Sequence, residues 1–432
     1  MSQPVTTSER RTISDTIRGI ALSGELLVRL IPVLLFVISC RPASDRVILN
    51  PSTDLTFPPE WEPHQAMWID WTDFAFETRL DMIEALHENV HVNLLTFSDS
   101  LEALAWKMMK ARNIDTSRVS VFTHRVPNYF IRDAGPKYLS NGEQYVLADF
   151  GWNCFGGADF DSLCLERGTI DNDLASAFGH AVRSTDIVIE GGALEVSSNE
   201  ILAFSEMALH RNPERSLEEI ERACLAMYGK KKMIWIGKKL LLEQPGRKIE
   251  NYFGQGANGH IDGYMRFVND STIVVGVITD EDRNANPINQ IDWERLQSNL
   301  RQVRSATNHE GKPFHVIEVP MPDVTPYCSR EVLSDSDTHR HPGLYAGLSS
   351  GDTIIQVPVM SYLNFTISND VVLIPRYWRE GIPEKERAKD DLFFDLITKL
   401  FPGRVIIQIN ALPLNWNGGG IHCATQQVPR LK

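Results

Sequence analysis

The sequence predicts one folded α/β domain that follows an N-terminal segment of different character. With 432 residues, of which 43% are hydrophobic and 23% charged, the chain has the composition of a globular protein and the length for a large core. After Pro58-Pro59, apolar runs of strand length alternate with amphipathic helical stretches, a pattern typical of mixed α/β folds. No low-complexity linker interrupts residues 55–432, so we predict a single domain over residues 56–432.

The individual elements follow from periodicity and capping. Ser216 is a predicted helix N-cap with Glu219 as its capping-box partner, and Gly229 is the predicted stop of that helix. Residues 291–306 predict a second helix, and the polar, glycine-containing segment 334–352 predicts a long, irregular surface loop. The apolar runs that predict strands are VHVNLLTF (90–97), YVLADF (145–150), DIVIEGG (186–192), IWIG (234–237), STIVVGVI (271–278), FHVIEVP (314–320), VVLIP (371–375) and RVIIQIN (404–410).

The charge balance bears on the kind of partner. There are 43 Lys and Arg against 56 Asp and Glu, for a formal net charge of −13. That field repels the phosphates of nucleic acid, so we expect no nucleic-acid partner. It suits a cationic small molecule, although a negative charge also simply keeps a protein soluble.

The six cysteines are too sparse for a disulfide framework, and no CxxC pair indicates zinc. We expect packing roles for Cys164, Cys224 and Cys328, and for Cys154 either packing or a place in a pocket wall. No metal or organic cofactor is expected.

The N-terminus has the order of a secretory signal. Residues 29–40 read RLIPVLLFVISC: a basic residue, a short apolar run, then Ser39 and Cys40. The run is too short to span a bilayer comfortably, and it resembles a bacterial lipoprotein signal. We therefore predict a signal over residues 1–40, lipidation of Cys40, a flexible tether over 41–55 and a membrane-anchored, exported protein. The alternative is an N-terminal helix packed on the domain of a cytoplasmic protein.

Two motifs hold groups that can carry out nucleophilic chemistry. Cys423 follows three glycines, Ile421 and His422, so the backbone can approach a ligand closely where the thiol projects. His260 and Asp262 lie two residues apart at the start of a strand-like run, which predicts that both face one pocket. Each motif alone is also compatible with plain packing, a surface pair or half a metal site.

Two further motifs place a carboxylate where a strand ends. Glu190 precedes two glycines in IEGG, and Asp133 follows Arg132 in FIRDAGP. Individually both are compatible with turn chemistry. Together with the cysteine and the His-x-Asp pair, they are the groups needed to bind a guanidinium and to attack its carbon.

With these motifs assembled, the chain resembles the agmatine deiminase family, which includes the Porphyromonas-type peptidylarginine deiminases. The resemblance extends from Phe57 to the C-terminus. The matching stretches, in family order, are PPEWEPHQAMWIDW, FIRDAGP, WNCFGG, IEGGALEV, HRNPERSLEEIE, MIWIG, GHIDGYMRFV, SYLNFTISNDVVLIP, FPGR and GGGIHCATQQ.

The resemblance implies a five-bladed α/β propeller of pseudo-fivefold ββαβ repeats, the pentein fold. It also implies that Cys423 is the nucleophile, that His260 is the acid and base, and that Asp133, Glu190 and Asp262 surround the guanidinium. Further substrate contacts are predicted for Arg132, Asn128, Trp152, Gly419 and Gly420.

The implied reaction is hydrolytic deimination through a covalent thiouronium on Cys423, with release of ammonia. The expected substrate is agmatine, converted to N-carbamoylputrescine. Pro127-Asn128-Tyr129-Phe130 departs from the family's Asn-Asp-x-Trp pattern and Asn258 from its Asp, so an arginine-containing peptide is the first alternative. Amidino transfer to an amine and a non-catalytic binding module are the others, and a thiol protease or amidase ranks lowest because carboxylate walls oppose an oxyanion.

Overall fold

The computed structural model describes residues 54–127, 129–157, 162–340 and 343–432; for residues 162 and 340 only the backbone is described. The predicted signal (1–40), its Cys40, most of the predicted tether and Asn128 lie outside these ranges. Of the tether, residues 54 and 55 are described, and Leu55 is buried in the core.

Helices and strands alternate along the described chain. The strands are β1 (His64–Asp70), β2 (His91–Thr96), β3 (Val119–Thr123), β4 (Lys137–Ser140), β5 (Tyr145–Gly151), β6 (Ala181–Val188), β7 (Glu195–Val196), β8 (Glu200–Phe204), β9 (Lys232–Ile236), β10 (Gly246–Ile249), β11 (Tyr252–Gly254), β12 (Met265–Asn269), β13 (Thr272–Val277), β14 (His315–Pro320), β15 (Ser329–Val332), β16 (Thr353–Gln356), β17 (Thr366–Ile367), β18 (Val371–Arg376), β19 (Val405–Asn410) and β20 (Thr425–Pro429). The helices are α1 (Phe76–Leu86), α2 (Asp99–Ala111), α3 (Ile131–Ala134), α4 (Ser162–Glu166), α5 (Ile170–Phe178), α6 (Ser205–Arg211), α7 (Leu217–Tyr228), α8 (Pro287–Ser305), α9 (Asp335–Arg340), α10 (Glu384–Leu400) and α11 (Leu412–Asn415).

Five of the sheets repeat one strand pattern. In each, an antiparallel pair is followed by a helix and then by a strand parallel to the second member of the pair. Four have the orders β4-β5-β6, β7-β8-β9, β12-β13-β14 and β17-β18-β19. In the fifth, β20-β1-β2-β3, the C-terminal strand supplies the antiparallel partner of β1. The chain is thus an α/β protein of small mixed sheets, with a further sheet in the order β10-β11-β16-β15.

The sheets and helices enclose extensive apolar clusters. Trp68 and Trp71, in or just after β1, are completely buried and belong to this core. Within the described ranges no helix combines the length and the apolar character needed to cross a bilayer.

Several element predictions are confirmed. The α7 capping box of Ser216 and Glu219 forms, and Gly229 ends that helix in the left-handed region at φ 64°. The second predicted helix exists but begins earlier, because Asn286 caps it and Pro287 occupies its first turn.

Two element predictions were wrong in detail. His260 and Asp262 lie in the turn before β12, not in the strand itself. The polar segment 334–352, expected as an irregular surface loop, contains helix α9, and its Leu344 reaches a cavity wall.

Candidate active site

The Cys423 thiol lies in a tight turn between α11 and β20, with only 6% of the residue exposed. The glycines before it allow close packing. A Cβ on Gly420 would lie 2.4 Å from Asn364 Oδ1, and one on Gly419 would lie 2.5 Å from the Phe130 ring. Their role in this structure is therefore steric, and Gly418 is the glycine of this run that lines the adjoining cavity.

Asn364 holds the nucleophile and was missed by the sequence reasoning. Its Oδ1 accepts from the backbone N–H groups of His422 (3.0 Å) and Cys423 (3.2 Å), and its Nδ2 donates to Cys423 Sγ at 3.2 Å. The side chain thus fixes the turn and supplies a donor to the sulfur. Its signal was present in the matching stretch SYLNFTISND, which the resemblance used only for alignment.

The structure brings the predicted histidine and carboxylates together beside Cys423. His260 Nδ1 lies 3.5 Å from Asp133 Oδ1, and His260 Nε2 lies 3.6 Å from Glu190 Oε2. Asp262 Oδ2 is 3.6 Å from Cys423 Sγ. Among the described residues, neither ring nitrogen of His260 makes a hydrogen bond. A buried imidazole without hydrogen-bond partners is typical of a site that a ligand completes.

Gly192 makes this convergence possible. Its backbone N–H donates to Asp133 Oδ1 at 3.1 Å, and its carbonyl accepts from Ile261 and Asp262. A Cβ at this position would lie 2.6 Å from His260 Nδ1. The IEGG motif therefore links two segments of the site through a backbone that only glycine leaves bare enough.

Electrostatics give each group a distinct protonation state. Burial disfavours the charged form of His260, but Asp133 and Glu190 outweigh burial and raise its pKa to about 9. Burial also opposes ionisation of Glu190, yet Arg211 and His260 lower the pKa of Glu190 to about 2. The site thus holds an imidazolium and an ionised carboxylate at neutral pH.

The Cys423 thiol and the Asp133 carboxyl, in contrast, have raised pKa values, which favour their protonated forms. Burial, followed by the charges of Asp262 and Asp133, raises the pKa of the Cys423 thiol well above its usual range. Burial raises the pKa of Asp133 against the pull of His260. A cation placed between Asp133 and the sulfur reverses both effects, because it favours the carboxylate and the thiolate together.

A cavity of about 500 Å³ opens onto this constellation. Asp133 and Cys423 lie at its wall together with Trp152, and Tyr129, Phe130 and Phe155 add aromatic surface. The volume is within the range of small-molecule sites. Trp152, predicted as a substrate contact, therefore does line the cavity.

Two predicted substrate contacts lie elsewhere. The Arg132 guanidinium binds Glu60 (2.9 Å), the His422 carbonyl and Gln427 behind the nucleophile, so it braces the turn rather than the cavity. Glu190 is buried between Arg211 (2.7 Å) and His260 (3.6 Å) and is not among the residues that line the cavity.

Two cysteines that were expected to be unpaired form a disulfide. Cys154 and Cys164 are bonded, with Cα atoms 5.9 Å apart. The sequence spacing gave no indication of this pairing. The bond closes the segment that contains Phe155, and the Trp152 indole donates to the Cys164 carbonyl at 2.8 Å, so the disulfide fastens the aromatic wall of the cavity.

Outside the cavity, Asp282, Asp323 and Glu386 are near enough to one another to share a metal ion. Lys385 contacts Asp282 at 2.5 Å and Asp323 at 3.1 Å, while Lys389 contacts Asp282 at 2.6 Å and Glu386 at 2.8 Å. The two ammonium groups already neutralise these acids.

Comparison with known proteins is decisive for the family. The sequence model of the Porphyromonas-type peptidyl-arginine deiminase family matches residues 56–429 of the chain. The chain belongs to this family. As a member, it is a hydrolase that acts on a guanidino carbon–nitrogen bond.

Individual relatives are distant but cover nearly the whole domain. A Legionella pneumophila (strain Paris) protein named "Putative agmatine deiminase" is 27% identical over 397 residues, which are 86% of this chain and 95% of the relative. The solved agmatine deiminase of Enterococcus faecalis superposes with a TM-score of 0.66 at 20% identity, over 88% of this chain and 97% of its own. A solved Porphyromonas gingivalis protein named "Putative Arginine Deiminase" superposes with a TM-score of 0.64 at 21% identity, over 87% of this chain and 98% of its own.

Proposed function

We propose that this chain hydrolyses the guanidinium of a small cationic substrate, with agmatine as the leading candidate and N-carbamoylputrescine as its product. The observation that supports this most is that Cys423, His260, Asp133 and Asp262 are buried together, with Cys423 and Asp133 at the wall of one cavity. It supplies a nucleophile, a proton donor and anionic partners for a planar cation. The L. pneumophila and E. faecalis relatives bear the agmatine deiminase name, which points to the same substrate.

The first half of the proposed reaction removes ammonia. The bound guanidinium stabilises the Cys423 thiolate, whose proton is released to solvent, and Asp133 orients the cation. The sulfur electron pair forms a bond to the guanidinium carbon. His260, as imidazolium, donates its proton to one terminal nitrogen, the carbon–nitrogen bond breaks, and ammonia departs with its electron pair. A thiouronium remains on Cys423.

The second half restores the enzyme. Neutral His260 takes a proton from water, whose oxygen attacks the thiouronium carbon. The carbon–sulfur bond then breaks, its electron pair returns to Cys423, and the added hydroxyl loses its proton to solvent as the ureido carbonyl forms. The organic product is the ureido compound, and ammonia and thiolate regain protons from solvent.

The test is to incubate the full chain with agmatine, free arginine and a peptide with internal arginine, and to measure ammonia and ureido product. Cys423→Ser is the inactive control, and Cys328→Ser is a matched control for loss of a thiol outside the cavity. Transfer of the amidino group to an added amine, with release of the substrate's own alkyl amine and neither ammonia nor ureido product, would favour transferase chemistry. Silence on every substrate would contradict the proposal.

We also propose that the five sheets form a five-bladed propeller, which is supported by their repeated strand pattern.

A further proposal is that the chain is exported as a lipoprotein. The Cys154–Cys164 disulfide supports export, because disulfides persist in oxidising compartments. Membrane fractionation of the full chain and of Cys40→Ala tests the anchor. Equal recovery of both in the soluble fraction would overturn it.

A further inference from the structure

A buried chain of ionisable groups runs from the nucleophile away from the cavity. Asp262 Oδ2, 3.6 Å from Cys423 Sγ, lies 2.6 Å from His422 Nδ1. The other ring nitrogen, Nε2, lies 2.6 Å from Glu60 Oε1. All of these residues are at least nine-tenths buried. His422 therefore bridges two carboxylates directly behind the reacting sulfur.

The two short contacts of His422 bear on which of its nitrogens carry protons. An ionised carboxylate only accepts hydrogen bonds, so an imidazole with such an oxygen 2.6 Å from each nitrogen must donate from both. Both contacts are satisfied when His422 carries a proton on each ring nitrogen, between two ionised carboxylates.

The far end of the chain is fixed by two arginines. Arg266 Nη2 lies 2.6 Å from Glu60 Oε2, and Arg132 Nη2 lies 2.9 Å from Glu60 Oε1. Arg266 is itself held by Glu195 at 2.8 Å and by two backbone carbonyls. The positive side chains keep Glu60 ionised: although burial opposes the charge, His422, Arg132 and Arg266 hold the pKa of Glu60 well below its usual range.

We propose that His422 is a positioning residue of the deiminase site, which acts through Asp262 by keeping that carboxylate ionised and fixed in place beside Cys423. The assignment rests on the proposed function for its kinetic consequence, but the double protonation of His422 does not. Glu60 has the same positioning role, because it contacts Nε2 of His422 on the side remote from the cavity and so orients the ring.

The surrounding charges support this direction of effect. Burial opposes ionisation of Asp262, but the hydrogen bond from His422 and the charges of His422, His260 and Arg266 lower its pKa. The other ionisable groups that face Asp262 or His422 are Glu60, Asp133, Glu195, Glu243, Tyr264, Arg132 and Cys423. Without His422, only His260 and Arg266 of these groups would offset the effect of burial, so the pKa of Asp262 would rise.

The kinetic test compares His422→Gln with the wild-type chain. We expect the acidic limb of the kcat/KM profile to move up by about one pH unit or more, a tenfold loss at a pH on that limb. Glu60→Gln retains the Asp262 contact, so its limb should move less. His309→Gln is the matched control, because His309 also contacts a carboxylate (Glu200, 2.7 Å) but lines no part of the cavity; its profile should match the wild type.

A direct test does not require activity or a stable variant. Nitrogen-15 NMR of wild-type protein labelled at histidine should show, beside the His260 imidazolium, a second imidazole with two protected N–H groups at pH 8, and the signals of this second imidazole should be absent in His422→Gln. In Glu60→Gln only the Nε2 signal should shift strongly. A single N–H on His422, or an acidic limb unchanged in folded His422→Gln, overturns the proposal. If the wild type shows both N–H signals but no deiminase activity, the proposed function fails and the bridging imidazolium stands.

Discussion

Asn364 is the residue whose contribution to the nucleophile can be tested most directly. Removal of its side chain in Asn364→Ala deletes the donor 3.2 Å from Cys423 Sγ and both contacts to the turn. Hydrogen bonds to charged groups contribute about 1.5–3 kcal/mol, so alkylation of Cys423 by iodoacetamide should slow by about ten- to a hundredfold at neutral pH.

The control for this prediction is Asn369→Ala in the same motif. Asn369 binds the backbone of His64 and Asn89 instead of the site. It should lower the melting temperature without changing the alkylation rate. Equal alkylation rates in both variants would show that Asn364 serves the fold alone.

Gly192 is predicted to be indispensable for activity. In Gly192→Ala the new methyl group would lie 2.6 Å from His260 Nδ1 and 3.1 Å from Asp262 Oδ2, so the imidazole must move. We expect a folded protein, by circular dichroism, with at least a hundredfold lower kcat. Gly343→Ala is the matched control, since a Cβ there meets nothing within 4 Å. Retention of wild-type kcat in Gly192→Ala would show that the histidine tolerates displacement.

At the residue scale, sequence reasoning found groups whose chemistry is conspicuous and missed those that act through others. Cys423, His260 and the acids were recognisable by type. Glu60, Asn364 and His422 were present in the quoted motifs, but nothing in a motif states which side chain points towards the sulfur. Arg132 was misplaced for the same reason, because its position beside Asp133 does not reveal that consecutive side chains diverge.

At the scale of elements, local signals succeeded where local interactions decide the structure. The α7 capping box depends on residues three apart, and the sequence contains all of them. The turn from His260 to Tyr264 depends on backbone hydrogen bonds to Gly192, far away along the chain, so its residues looked like the start of a strand. The Cys154–Cys164 bond likewise depends on a chain path that spacing does not encode.

The disulfide is predicted to set substrate affinity through the aromatic wall. Breaking it by a dithiol reductant, or in Cys164→Ser, frees the segment that carries Phe155 and removes a constraint on Trp152. We expect KM to rise severalfold with kcat little changed, because Cys423 and His260 are held by other segments. Steady-state kinetics with and without reductant measure this.

Two comparisons make this prediction specific. Cys328→Ser removes a half-buried thiol elsewhere and should leave KM unchanged. The reductant should have no further effect on Cys164→Ser. If the KM of the wild type is the same with and without the reductant, the aromatic wall keeps its shape without the disulfide.

For the whole molecule, the repeated sheet pattern could not be predicted from the periodicity of apolar residues in the sequence. The five sheets share a strand pattern, and the fifth is completed by β20 pairing with β1 from the opposite end of the described chain. Only the family resemblance supplied a repeat number. The α/β class itself was accessible, because it follows from alternation of strand and helix patterns.

The net charge of −13 leads to a prediction for the molecule as a whole. If the negative field assists capture of a cation, kcat/KM for agmatine should fall as salt rises from about 0.01 M to about 1 M, where the Debye length shrinks from about 30 Å to about 3 Å. Alkylation of Cys423 by neutral iodoacetamide measures the same buried thiol without a charged reactant, so its rate should stay constant. Parallel salt dependence of both rates would mean that salt alters the site itself, and constancy of both would leave the acidic surface with a role in solubility only.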